Sequence, residues 1–467
     1  MMSVATFSAD KISSEDRCCD EFESKPTSES ELPQVYDLDR VVDWVVEQEV
    51  GRVALQFPDY LLKDAPNVAR VLTQRLGREI FILGDTTFGS CCVDEVAAAH
   101  MNADAVVHFG HYCFSKARNL PVLYIYTKLP LNLECLEEEV NSKFSDAQRI
   151  VLLYDVDFHH VLDSWRPGSI PGMVSGRCES DGKVTLGGRS FPVENLSDLE
   201  DSSVVFVSSG RGQGQTLTNL MMALPPSCQW WIFQNCTLVP AGKNITRMLM
   251  RRSHLIEKCK DAQRVGILVG TLSLSKVDEI LDKLRRLVKN SGRKCYTFLV
   301  GKPNVAKLAN FPEIDVFVLV ACPESSLEDS KEFLQPLVTP WELEVALSPG
   351  CVWGGEVVTD FGEMVVGGAR YREVEESGPQ EGECQLSLAS GRIRSMGVED
   401  QEISGELAVV NDKTVSLVHS SGGGEFLASR SWGGLEQRLG QDQVQGPGEV
   451  IQGPRGIAAG YEGEPVS

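Results

Sequence analysis

The chain reads as an α/β protein made of three related, doubly wound parallel-sheet domains in pseudo-triplicate, with a flexible N-terminal arm and a long, largely irregular C-terminal tail. Three observations predict this. Short apolar, β-branched runs alternate with segments of helical periodicity, which is the order of a parallel sheet with helices on its faces. The alternation restarts near residues 131 and 261, so that similar units of roughly a hundred residues follow one another, compatible with an internal triplication. Outside that region the composition shifts to Ser, Glu, Gly and Gln with sparse apolar residues, too few to offset the entropy of folding.

Residues 1–35 form the arm, and Cys18-Cys19 within it are read as idle. The first domain, 36–130, opens with the helix DLDRVVDWVVEQ from Asp37 and the buried strand Arg52 to Phe57, which Pro58 ends. A helix over Leu61 to Leu76, a strand over Glu79 to Leu83, a helix over Val93 to Met101 and strands over Ala105 to Phe109 and Val122 to Tyr126 complete it. The second domain, 131–260, has a helix from Leu133 to Phe144, a strand from Arg149 to Tyr154, and a Gly-rich hairpin-like region around Val174 to Arg189. Strands Val204 to Val207 and Trp230 to Phe233 follow, and then a basic helix from Ile245 to Lys260. The third domain, 261–365, carries the strand VGILVG after Arg264, a helix from Lys276 to Lys289 and the strand KCYTFLVG. It closes with a helix-like stretch from Asn304 to Ala309 and the strand Asp315 to Ala321. The remainder, 366–467, is tail, in which 426–436 holds Phe426, Trp432 and several aliphatics and reads as a docking segment.

Charge and composition narrow the function. Forty-four basic against 66 acidic residues, a net charge of −22, oppose a general nucleic-acid binder or an anionic-membrane binder, since each needs a field of the opposite sign. No apolar run approaches a membrane span, and the N-terminal stretch has neither the cationic head nor the apolar region of a secretory or transit signal. Fourteen cysteines in such a chain therefore predict reduced thiols in the cytoplasm, some of them buried and some metal-bound, rather than a disulfide framework.

The chemistry concentrates between Leu83 and Phe114. Cys91-Cys92 follow one strand and Cys113 follows the next, so their spacing is that of a helix plus a strand, unlike a zinc finger. In the third domain Cys322 ends the strand Asp315 to Ala321. Parallel sheets gather the carboxyl ends of their strands on the edge where such folds bind ligands, so the four thiols occupy equivalent positions in the first and third domains. Thiolates favour zinc or iron–sulfur clusters, and a helix beginning after Cys92 would stabilise its thiolate. Against this stands the reading of each cysteine as a small buried hydrophobe. Adjacent Cys91 and Cys92 are expected to project in different directions, so one of them would ligate a given metal. His100, His108 and His111 surround the pair and read as surface or core histidines. Cys178, Cys228, Cys236, Cys259, Cys295 and Cys351 lack a comparable context.

Two other features are weaker. Gly210, Gly212 and Gly214 could shape an anion-accepting turn ahead of a helix, but they match neither a P-loop nor a dinucleotide fingerprint, and a plain loop is preferred. Arg247, Arg251, Arg252 and Lys258 make a basic helix face, read as solvated surface or a subunit contact. Acid/base carboxylate pairs, G-x-S-x-G and H-E-x-x-H motifs are missing, which leaves the ordinary hydrolytic chemistries unsupported.

Together the segments GDTTFGSCCVDEVAAAHMNADAVVHFGHYC, RMLMRRSHLIEKCKDAQRVGILVGTL, KLANFPEIDVFVLVACPESSL, FLQPLVTPWELEVAL and SRSWGGLEQRLG resemble the subunit 2 family of eukaryotic 2-(3-amino-3-carboxypropyl)histidine synthase, an enzyme of diphthamide biosynthesis. The resemblance spans about residues 35 to 350 and returns near Phe426 to Gly460. It implies three α/β domains and a [4Fe–4S] cluster on three cysteines, here Cys91 or Cys92, Cys113 and Cys322. In catalytic members the open iron engages S-adenosylmethionine, and a 3-amino-3-carboxypropyl group passes to a histidine of translation elongation factor 2. Those members draw one cysteine from each domain, whereas here the first domain offers two positions and the middle domain none. The resemblance thus implies a heterodimer in which this chain supports subunit 1, where S-adenosylmethionine binds, and helps an electron-donor protein keep that subunit's cluster reduced. The alternatives are a scaffold without cluster chemistry and a zinc protein.

Overall fold

A computed structural model describes residues 26–374, except 85–88, 145–148, 166–172, 177–183, 195, 211–214, 242–244, 328–332, 349–350 and 352. It also describes four short strands at 384–386, 393–395, 455–457 and 460–462. The chain divides into two units, residues 1–417 and 418–467. No helix among the described residues is long and apolar enough to cross a membrane.

The first sheet forms from β1 (Arg52–Gln56), β2 (Glu79–Leu83), β3 (Ala105–Phe109) and β4 (Val122–Ile125), all parallel, in the order β2-β1-β3-β4. Around it run α1 (Leu32–Val35), α2 (Leu38–Glu47), α3 (Ala65–Leu76) and the short α4 (Glu95–His100). Helix α2 buries Leu38, Val41 and Val45, spaced to share one face. Helix α3 starts with proline in its first turn and stops at Gly77 in the left-handed region, φ +62°, as proline and glycine each favour.

The second sheet repeats the arrangement. It holds β5 (Ile150–Tyr154), β6 (Met173–Ser175), β9 (Ser203–Val207), β10 (Gln229–Gln234) and β11 (Thr237–Pro240) in the order β11-β10-β9-β5-β6. Its helices are α5 (Leu133–Lys143), α6 (His159–Leu162), α7 (Gln215–Ala223) and α8 (Ile245–Asp261). A hairpin of β7 (Val184–Leu186) and β8 (Arg189–Phe191) is inserted after β6. The third sheet contains β12 (Arg264–Val269), β13 (Lys294–Leu299), β14 (Val316–Val320) and β15 (Leu337–Val338), all parallel, in the order β13-β12-β14-β15. It packs with α9 (Val277–Asn290), α10 (Val305–Ala309) and α11 (Pro340–Leu347).

Numbered within each sheet, the parallel strands take the same order three times: second, first, third, fourth. The predicted triplication is therefore visible in topology. The central strands β3, β5, β9 and β14 are buried at every position, as parallel strands covered on both faces must be. Beyond the third sheet, β16 (Cys384–Leu386) pairs antiparallel with β17 (Ile393–Ser395). The second unit shows an antiparallel pair, β18 (Arg455–Ile457) and β19 (Gly460–Glu462).

Several details depart from the sequence reading. The end of the arm is built into the first sheet's layer: Leu32 is fully buried, and the buried Asp64 accepts hydrogen bonds from Thr27 N (2.8 Å), Thr27 Oγ1 (2.6 Å) and Tyr36 Oη (2.7 Å). The hairpin-like region is two structures, because Met173–Ser175 joins β5 as a parallel strand and only β7 and β8 form a hairpin. Strand β11 turns back antiparallel on the edge of an otherwise parallel sheet, through Asn235 and Cys236 in left-handed conformations. Cys18-Cys19, Cys178 and the segment 426–436 lie outside the described residues.

Candidate metal centre

In each sheet the chain reverses its lateral direction between the first and third strands, and the crevice beyond their carboxyl ends is where such sheets bind ligands. At that point in the first sheet Gln56 and His108 are register partners, both buried. They hold a turn rather than a helix. His108 Nε2 lies 3.0 Å from Ser90 O, Gln56 Nε2 donates to Cys92 O at 2.7 Å, and Gln56 Oε1 accepts from Asp94 N at 2.9 Å. Cys92 N reaches Gly89 O at 3.2 Å, and Cys113 N reaches Cys91 O at the same distance.

This turn overturns the expectation that neighbouring cysteines diverge. Alternation holds only in extended backbone; here the chain folds back on itself, and both thiols face one point. Cys91 Sγ lies 3.9 Å from Cys92 Sγ and 3.8 Å from Cys322 Sγ, and Cys92 Sγ lies 3.7 Å from Cys113 Sγ. All four sulfurs fall within 4.8 Å of one another, the one such group of potential metal ligands among the described residues. Cys92, Cys113 and Cys322 are buried and Cys91 is partly exposed. Helix α4 begins at Glu95, later than expected, and Asp94 caps it by accepting from Ala97 N at 2.9 Å. Its amino end is thus satisfied by a carboxylate, and Cys92 draws nothing from it.

Cys322 arrives from the third sheet two residues beyond β14. Its carbonyl accepts from Ser325 N (3.1 Å), Ser326 N (3.0 Å) and Ser326 Oγ (2.8 Å), which winds the following loop tightly and aims the thiol at the first sheet. Hydrogen bonds from Cys113, Cys91 and Cys92 hold the Cys322 thiol well below its ordinary range. The same sharing with Cys113 and Cys322, together with burial, raises Cys91 and Cys92, while Cys113 is raised first by burial. Within the quartet Cys322 is thus the thiol that most readily gives up its proton, and a soft cation would have to draw off the protons of the others.

The surrounding polar groups are more ordered than the sequence suggested. Burial alone would lower His111, but Glu324, whose Oε2 lies 2.6 Å from His111 Nε2, outweighs it and raises the imidazole. Thr216 Oγ1, in the first turn of α7, donates to Glu324 Oε1 at 2.7 Å. At the end of β5, Asp155 accepts from Ser209 N (2.7 Å) and Ser209 Oγ (2.8 Å). His100 is exposed, and neither His108 nor His111 joins the quartet. Cys228, Cys236, Cys259, Cys295 and Cys351 stand apart from it as well. Gly210 sits at φ +71° ahead of α7, while Gly212 and Gly214 lie outside the described residues. On the basic helix Arg247 and Lys258 are exposed, but Arg252 is buried and forks onto Glu342, with Nη2 to Oε2 at 2.6 Å, so that it belongs to the core and not to a surface.

Residues 57–358 match the family model described as putative diphthamide synthesis protein. This chain belongs to the diphthamide synthesis family. Its relatives there include 2-(3-amino-3-carboxypropyl)histidine synthase subunit 2 of Gallus gallus, 39% identical over 485 residues and covering 99% of each chain. The protein of the same description from Schizosaccharomyces pombe is 34% identical over 474 residues, covering 93% of this chain and 92% of the relative. Within the diphthamide synthesis family the chain therefore stands with the eukaryotic second subunits. The crystal structure of Dph2 from Pyrococcus horikoshii shares the fold, with a TM-score of 0.53 at 20% identity over 72% of this chain and 96% of that one. A second structure of that protein, with a 4Fe-4S cluster, gives a TM-score of 0.52 at 19% identity over 73% and 93%.

Proposed function

We propose that this chain is the accessory iron–sulfur subunit of the heterodimeric enzyme for the first step of diphthamide biosynthesis. In that step a 3-amino-3-carboxypropyl group passes from S-adenosylmethionine to a histidine of translation elongation factor 2. The observation that carries the reading is the origin of the quartet: Cys91, Cys92 and Cys113 come from the first sheet's edge, Cys322 from the third and, among the described residues, no thiol from the second. Soft thiol donors are the ligands that iron–sulfur groups take, and sulfurs 3.7 to 3.9 Å apart would have to open outward to admit a four-iron cluster; the naming of the relatives as a second subunit supports a partner. Cys91 or Cys92, Cys113 and Cys322 would hold the [4Fe–4S] cluster, which when bound supplies one-electron chemistry. The chain's own contribution is to bury that group and fix its ligands at the junction of the units 36–130 and 261–365. S-adenosylmethionine is assigned to subunit 1, and this subunit relays electrons from a donor protein to the partner's cluster in the cytoplasm.

Anaerobic purification of the heterodimer, with iron, sulfide and visible spectra measured for each chain, tests the reading. Iron and sulfide on this subunit, and a Cys113→Ala, Cys322→Ala double variant that still pairs with subunit 1 but slows reduction of its cluster, are the expected results. Unchanged reduction kinetics would rule the relay out. One observation favours a second reading, a zinc site. Four thiolates bonded to one ion at about 2.3 Å stand about 3.8 Å apart, close to the 3.7 to 3.9 Å of the contacting pairs Cys91–Cys92, Cys91–Cys322 and Cys92–Cys113 within a group whose sulfurs all lie within 4.8 Å. Stoichiometric zinc in a colourless chain would select it.

A further inference from the structure

Glu324 touches the quartet nowhere, yet it joins the parts that do. Its carboxylate is almost wholly buried, with 6% of the side chain exposed. One oxygen meets His111, two residues ahead of Cys113 on the first sheet's edge; the other accepts from Thr216 on α7 of the second sheet. Glu324 itself lies two residues beyond Cys322, in the loop that leaves the third sheet. One side chain thereby ties the Cys113 loop, the Cys322 loop and the second sheet together. The hydrogen bonds are short, 2.6 and 2.7 Å, as expected for bonds to a buried carboxylate.

We infer that Glu324 is a positioning residue for the metal centre, and that the second sheet takes part in the centre through Thr216. The inference rests on the reading of the quartet as a metal site. Groups hydrogen-bonded to metal ligands fix ligand orientation, and removing them typically weakens metal retention by about ten- to a hundredfold; Glu324 acts one contact further out, through the loops that carry Cys113 and Cys322, so the low end of that range is expected. Loss of the Glu324 carboxylate would release His111 and Thr216 at once and remove that tie between the Cys113 and Cys322 loops. Loss of the Thr216 hydroxyl would free the second sheet alone.

The test uses the anaerobically purified heterodimer carrying wild-type, Glu324→Ala, Glu324→Gln or Thr216→Val versions of this chain. Two quantities are read: the rate at which a chelator strips metal from this subunit, and the spectrum of the bound metal, by electron paramagnetic resonance for iron or by cobalt substitution for zinc. Glu324→Ala is expected to lose metal about tenfold faster, with an altered spectrum. Glu324→Gln, which keeps an acceptor for Thr216, should fall between it and wild type, and Thr216→Val should accelerate loss by a smaller factor. Wild-type release rates and spectra in both Glu324→Ala and Thr216→Val would overturn the inference. If Glu324→Ala fails to fold, Thr216→Val decides by the same two measurements. A wild-type chain that binds no metal at all would instead overturn the metal-site reading beneath it.

Discussion

Gln56 and His108 stand opposite each other at the carboxyl ends of β1 and β3, and each grips a carbonyl of the same turn, Cys92 O at 2.7 Å and Ser90 O at 3.0 Å. The pair clamps the turn from two adjacent strands. Because both side chains are buried, neither bond has water as a substitute.

Replacing Gln56 with leucine keeps the volume and strips both arms, stranding Cys92 O and Asp94 N in a dry site. Unsatisfied buried amides and carbonyls cost about 1 to 3 kcal/mol. Denaturant unfolding should show a loss in that range, and the Asp94 amide should exchange with deuterium faster than in wild type. Unchanged exchange at Asp94 would argue that the turn holds itself.

His108 makes stability depend on acidity. Its Nε2 faces a carbonyl and therefore carries the proton, and its buried Nδ1 has no partner, so a second proton would sit uncompensated; burial lowers the imidazole to about 4. The folded value lies below the ordinary 6.5. The unfolded chain therefore takes up the proton first as the pH falls, and the stabilisation is full above about 6.5 and lost progressively down to about 4. The total is on the order of 3 kcal/mol. Unfolding free energies measured between pH 7 and 4 should fall less steeply in His108→Gln than in wild type; parallel curves would remove His108 from the account.

Glu342 serves twice. It closes a capping box at the start of α11, where Thr339 N donates to its Oε2 at 2.7 Å and its own N donates to Thr339 Oγ1 at 3.2 Å, and it receives the buried Arg252 fork. Glu342→Ala leaves an uncompensated buried guanidinium and should cost about 3 to 5 kcal/mol. An Arg252→Met, Glu342→Leu chain should regain most of that in calorimetry, because the charge leaves with its partner.

Gly188 lies in the β7–β8 turn at φ +72°, where a Cβ would come within 2.1 Å of Phe114 Cβ, the side chain following Cys113. Alanine there combines backbone strain with a clash that no rotamer relieves. About 1 to 3 kcal/mol should be lost, read as a lower unfolding midpoint. Pairing the change with Phe114→Ala should not restore full stability, since the left-handed backbone stays strained.

Much of the fold was legible because buried parallel strands are written as unbroken apolar runs: Ile150 to Tyr154 and Val316 to Val320 could hardly be anything else. Helix α11 is also readable, since Thr339-Pro340-Trp341-Glu342 spells a capping box. The thiol positions could be found by placing cysteines at strand ends. That domains one and three could bring their thiols together across a cleft was legible too; that both Cys91 and Cys92 point there was not, because their direction depends on a turn whose geometry is set by contacts with Gln56 and His108 on other strands. Glu324 was hidden for the same reason. In sequence it is one acid among 66, and only the meeting of three sheets makes it distinct. A polar residue closing an apolar strand, as Gln56 does, was the one signal available.

Cys91 and Cys322 touch although 231 positions separate them along the chain. A ribosome adding about 5 to 20 residues per second takes roughly 10 to 50 seconds to travel between them. For that interval Cys91, Cys92 and Cys113 exist on a nascent first sheet whose fourth thiol has not yet been made. On the metal-site reading, a cation met in that time would find three of the four thiols, and completion of the cage would wait on translation of the third sheet.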